Sequence, residues 1–146
     1  MQDENEKILY DGEHQPEIST AGIVYGDTIY WVTIAGTLLV LIGSVLSFIT
    51  KGNYIDPGYM LTAIWQGKDV YEIWEGAAGV GATPEGHWYL SNISTGDGLT
   101  MFGLALGVFS VVPGIIGAGF YLFKEKEILF GILAMIAAAI IIVAML

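Results

Sequence analysis

The chain has 146 residues, 54% of them apolar and 14% charged, against roughly a quarter charged in an ordinary soluble domain, which excludes a typical water-soluble fold. The formal net charge is −10, from 15 acids and 5 basic residues, all lysine, so there is no basic stripe to hold nucleic acid. With no cysteine and two histidines, His14 and His87, disulfides, thiolate metal sites and cysteine nucleophiles are excluded, and a histidine metal cage lacks ligands.

Residues 1–27 form an acidic tail with seven acids and one lysine, Lys7. A secretory signal begins with a positive segment and a short apolar core. This start is acidic, so the first apolar helix is expected to be retained. The composition through Glu17 is that of a segment with too little apolar surface to order itself, and a partner subunit is one means of holding it.

Three charge-free runs follow, at 28–49, 99–123 and 128–146, of 22, 25 and 19 residues. As helices they span roughly 33, 37 and 28 Å, and a bilayer core is about 30 Å thick. The last run, ILFGILAMIAAAIIIVAML, has no polar face to turn toward water, as a soluble bundle helix must. The expected fold is therefore an all-α integral membrane protein with three transmembrane helices. Asp27, Asp97, Glu125 and Glu127 precede the runs, and Lys51 and Lys124 follow two of them. Those positions suit helix caps and dipoles. Tyr30, Trp31, Phe48, Tyr121 and Phe123 lie near the ends, where aromatic belts form.

Residues 50–98 are the one sizeable extramembrane segment. Asp56-Pro57 predicts a capped helix stopped by Gly67, with Met60, Leu61, Ile64 and Trp65 on one face. Asp69 to Glu72 has the form of a capping box, with Val70, Ile73 and Trp74 sharing a face and Gly76 ending the turn. Both short helices are expected to lie along the membrane surface or against a partner. The Gly/Ala-rich stretch 76–86 reads as irregular, and 87–90 returns toward the membrane. Trp65, Trp74 and Trp88 are candidate anchors, since half-buried aromatics suit a lipid interface and a protein interface alike. Asn92-Ile93-Ser94 matches a glycosylation sequon.

In the second span Gly103, Gly107, Ser110, Gly114 and Gly117 recur at spacings of 4, 3, 4 and 3. That spacing places them on one helical stripe, the small-residue form that lets backbones approach closely. The stripe either docks another protein, or a second copy, or packs the chain's own helices. Gly36, Gly43 and Ser47 make a thinner version in the first span, and Gly131, Ala134 and Ala138 in the third. Pro113 removes a backbone donor and leaves the Phe109 carbonyl without its helical partner, so a shape-setting kink is expected. A tight charged hairpin, 124–127, leads into the third span.

Chemistry is sparse. The spans hold no ionisable residue, which removes the usual proton relays and ion paths, and no axial histidine for haem. No nucleophile elbow, P-loop, dinucleotide fingerprint or zincin motif occurs. His87, beside Glu85, Trp88 and Tyr89, is better read as an interfacial packing residue than as a ligand or proton shuttle, and His14 as solvated or partner-bound. Asp69, Glu72 and Glu75 line a polar helix face. No cofactor is expected.

Lys7, Lys124 and Lys126 fall on one side of three spans, Lys51 and Lys68 on the other. Lysine bias then places the N-terminus in the cytoplasm, with a prokaryotic inner membrane as the expected location. The layout loosely resembles small three-helix membrane proteins of prokaryotes in helix count, the Pro113-centred second span and the charged hairpin, and no motif carries a function across. The expected role is a non-catalytic subunit whose partners are other integral membrane subunits and the bilayer. An energy-converting complex is its home by analogy alone. A homo-oligomeric channel or small-solute carrier is the alternative, and lacks a polar stripe to line a pore. An enzyme using His87 and nearby carboxylates has least support.

Overall fold

The computed structural model describes residues 18–79, 84 and 86–145. The acidic tail through Glu17, with His14, lies outside them, as do Glu85 and residues 80–83 of the Gly/Ala-rich stretch. All regular structure among the described residues is helical: α1 (Thr20–Ile49), α2 (Pro57–Trp65), α3 (Val70–Ala78), α4 (Trp88–Ser91), α5 (Gly96–Phe109), α6 (Val111–Lys124) and α7 (Ile128–Met145). Three stretches are long and apolar enough to cross a membrane: Thr20–Ile49, Gly96–Lys124 and Ile128–Met145. Within their most apolar windows only 11%, 22% and 11% of residues are buried by the chain itself. Surfaces so apolar and so uncovered are compatible with a bilayer around them.

Two helices begin earlier than their charges suggest. α1 starts at Thr20, eight residues before the charge-free run, because the Ser19 hydroxyl accepts from the Gly22 N–H at 3.2 Å and caps it. Asp27 therefore sits exposed inside the helix and is not its cap. α5 starts at Gly96, capped by the Thr95 hydroxyl, which accepts from Gly98 N–H at 3.2 Å. Asp97, expected as that cap, instead accepts from the Ile55 N–H at 2.6 Å. The second stretch is interrupted at Ser110, three residues before Pro113, whose missing N–H cannot return to Phe109.

The chain divides into two compact units. In the unit of residues 28–113, α1 and α5 touch through small residues. A Cβ built on Gly103 would lie 2.7 Å from the Gly36 carbonyl oxygen and 2.8 Å from the Val40 nitrogen, and one on Gly36 would lie 2.7 Å from the Gly103 carbonyl oxygen. Gly43 meets Thr100 and Gly96 in the same way, and Gly96 meets the Ser47 backbone. Only hydrogen fits at these crossings, so the stripe Gly36, Gly43 and Ser47 closes on Gly96, Thr100 and Gly103.

A polar clasp joins the ends of α1 and α5. The Asn53 amide donates to the Ser47 carbonyl at 2.6 Å and the Thr50 carbonyl at 3.4 Å, and its oxygen accepts from Gly96 N–H at 3.2 Å. One side chain thus satisfies carbonyls left open at one helix end and a donor left open at the other. Asn53→Ala should lower stability in detergent by about 1–3 kcal/mol, the usual cost of stranding half-buried backbone groups. Thermal unfolding followed by circular dichroism checks this; an unchanged midpoint would show that water replaces the amide.

Between the clasp residues stands a helical hairpin. Asp56 caps α2, its carboxylate accepting from Gly58 and Tyr59 N–H, and Gly67, at φ 67°, makes the turn that follows. Asp69 holds the cap position of α3 without a side-chain cap bond, and α3 runs past Gly76 to Ala78, ending at left-handed Gly79. Gly76 is not a terminator because its bare face receives the Tyr59 ring, which any Cβ there would strike. Lys68 donates to the Tyr59 hydroxyl at 3.1 Å and sits 5.1 Å from its ring centre. The base is closed by Asp56 N–H donating to the Ala77 carbonyl at 2.8 Å.

In the other unit, which includes the described residues up to Asp27 and those from Gly114 on, α6 turns into α7 through Lys124–Glu127. Lys126 has φ 67°, and the Glu127 N–H returns to the Leu122 carbonyl at 2.9 Å, a C-terminal capping pattern. Gly119 lies against Met135 and Gly131 against the Phe123 ring.

Candidate interaction site

The five-residue stripe divides into positions used within the chain and one that is open. Gly103 is consumed by the Gly36 crossing, and a Cβ on Gly117 would lie 3.1 Å from the Val24 side chain. Ser110 is buried, its hydroxyl donating to the Gly107 carbonyl at 2.6 Å, and Gly114 is also buried. Gly107 differs. Its backbone borders Gly36, yet a Cβ on it would meet nothing within 4 Å. It floors a groove of about 320 Å³ walled by Thr33, Thr37, Val40, Leu104 and Val108. Thr33, Thr37, Leu104 and Val108 are exposed on its rim. The Thr37 hydroxyl returns to the Thr33 carbonyl at 2.8 Å, so it adds little polarity to an otherwise apolar trough.

The groove follows from local sequence. Gly36 and Gly103 bring α1 and α5 together, and the absence of a side chain at Gly107, one turn along α5, leaves a notch where the next ridge would be. A notch flanked by small residues is a surface that another apolar helix can enter closely. The charge-free run begins at Leu99 and so leaves Gly96 outside the expected helix, while Thr100, inside it, is not among the small residues of the stripe. Extending the 4-and-3 spacing backward from Gly103 gives Thr100 and Gly96, a signal already present in the residues.

The three candidate anchor tryptophans stand on three elements in different surroundings. Trp65 on α2 is 88% exposed. Trp74 on α3 is half-buried. Trp88 on α4 stacks on Tyr54, ring centres 4.7 Å apart and planes 23° from parallel. That stack gives Trp88 a partner within the chain.

His87 is exposed, with Nδ1 3.3 Å from the Tyr89 hydroxyl and the rings edge to face. Among the described residues, no three His, Asp or Glu side chains converge to hold a metal ion. Asn92 of the sequon is tied into the fold: its amide donates to the Trp88 carbonyl at 2.9 Å, and its own carbonyl accepts from the Thr95 N–H and hydroxyl.

A protein-family model matches residues 21–146. A protein of Archaeoglobus fulgidus, described as uncharacterized, is 32% identical over 117 residues, covering 80% of this chain and 76% of that protein. No solved structure matches.

Proposed function

This chain belongs to the protein family whose model spans residues 21–146, and from that premise we propose that it is a non-catalytic integral membrane subunit that docks another membrane protein. The observation that carries the proposal is the groove at Gly107: an open, apolar, small-residue notch on a helix pair whose other small residues are already used. The charge-free runs offer no proton relay or ion path, which favours a packing role over a transport one. A prokaryotic cytoplasmic membrane is the proposed location, with Lys124 and Lys126 inside and the segment 50–95 outside, following the lysine bias.

Gly107→Leu tests the docking directly, because its Cβ has open space within 4 Å and its side chain extends into the groove. Overpacking at a docked interface typically costs about 1–3 kcal/mol, and each 1.4 kcal/mol is tenfold in an equilibrium. Recovery of the assembled complex by affinity purification should therefore fall roughly tenfold. Val45→Leu, on exposed α1 surface outside the groove, should leave recovery unchanged. Equal recovery of both variants would remove the groove from the interface.

Topology is checked separately. The chain has no cysteine, so Glu75→Cys provides a single thiol. It should react with an impermeant maleimide added outside intact cells; reaction only after lysis would invert the proposed orientation.

A further inference from the structure

The two helices of the hairpin differ in their acids. Residues 57–68 contain no acid, while Asp69, Glu72 and Glu75 follow within seven residues. On α2 the residues that face the hairpin are Tyr59, laid over Gly76, and Ala63, which is buried. The opposite face carries Leu61 and Ile64, each 55% exposed, and Trp65 at 88%. These three sit at i, i+3 and i+4, one continuous patch. On α3 Glu72 and Glu75 are exposed, beside exposed Val70 and Tyr71.

The hairpin also has limited reach. Seven residues separate the end of α1 from Pro57, and within them Asn53 is bonded to Ser47 and Gly96 while Ile55 is bonded to Asp97. The base is thus fastened to the C-terminal end of α1 and the N-terminal end of α5, which lie in the same unit. A nine-residue helix extends only about 14 Å from that base. An acid-free apolar face is thereby held close to the ends of the apolar helices. Trp is the residue type enriched at that level.

We propose that the outer face of α2, Leu61, Ile64 and Trp65, lies in the boundary between lipid headgroups and acyl chains, with α3 above it and Glu72 and Glu75 turned to water. The occupant of this face is the bilayer that carries the spans, so the inference rests on the membrane-spanning reading. Interfacial helices bury their apolar face in this way, and carboxylates on the far side stay clear of the headgroup layer.

The test uses single thiols in the full-length chain reconstituted into phosphatidylcholine vesicles. Leu61→Cys, Trp65→Cys, Glu72→Cys, Glu75→Cys and Val45→Cys are each labelled with bimane. Quenching is read with lipid brominated near the top of its acyl chains and with aqueous iodide. Labels on Leu61→Cys and Trp65→Cys should be quenched by brominated lipid at least about twofold more than those on Glu72→Cys and Glu75→Cys, with the order reversed for iodide. Iodide quenching of the Trp65→Cys label as strong as that of the Glu75→Cys label would overturn the inference and turn this face to water or a protein. Val45→Cys, on exposed α1 surface, separates the two levels of failure. If its label too is open to iodide, the membrane-spanning reading itself falls.

Discussion

Gly103→Leu should separate α1 from α5. A Cβ at this position already lies 2.7 Å from the Gly36 carbonyl oxygen and 2.8 Å from the Val40 nitrogen, and both are backbone atoms with no rotamer to turn away. Overpacking ordinarily costs about 1–3 kcal/mol where side chains can adjust. Here the only relief is to move a whole helix, so the effect belongs at or above the top of that range. Helix association in lipid has little hydrophobic drive to offset the loss. The purified variant should show a thermal midpoint lowered by many degrees, and Gly36→Leu should match it. Gly107→Ala, one turn away with open space at its Cβ, should unfold like the unmodified chain. If Gly103→Leu and Gly107→Ala unfold alike, the crossing is not where the helices hold each other.

Gly98→Val should have the second largest effect, in a different place. A Cβ there would strike the Asn92 carbonyl and lie 2.9 Å from the Thr95 hydroxyl. The Asn92 carbonyl holds the Thr95 N–H and hydroxyl, and that hydroxyl caps α5. Displacing it should release the cap and carry away the neighbouring Asp97 bond to Ile55, which fastens the segment between α1 and α5. Capping and overpacking costs of about 1 and 1–3 kcal/mol combine here. Limited trypsin digestion should cut at Lys51 and Lys68 at least about tenfold faster, a change of roughly 1.4 kcal/mol in local opening. Helix content should stay close to that of the unmodified chain. Unchanged cleavage would show that the 92–98 turn does not fasten the segment.

The contrast between these two glycines and Gly107 marks how far the residues alone can be read. Three apolar helices were legible because uninterrupted apolar runs of that length have few other uses. The cap at Asp56-Pro57 and the turn at Gly67 were legible because proline and left-handed glycine restrict the backbone locally. The starts of α1 and α5 were not, because a charge does not mark where a helix begins. Asp27 is tolerated inside a helix on an exposed face, and Asp97 serves a distant backbone N–H, which no local pattern encodes. Gly76 looked like a terminator because a glycine that ends a helix and one that receives a ring are identical in sequence. The small-residue stripe was visible as a periodicity, but its division into occupied and open members depends on which residues of α1 face it. That is a tertiary fact carried by Gly36 and Val40.

The most direct measurement is blue-native electrophoresis of membranes from the source organism, mildly solubilised, with a second denaturing dimension to resolve the polypeptides in each band. The expected result is that the chain migrates well above its own 15.7 kDa, together with at least one different membrane polypeptide, and that Gly107→Leu shifts it out of that band. Migration alone, or as a small oligomer of identical copies, would contradict a docking subunit and favour a homo-oligomer built on the same groove.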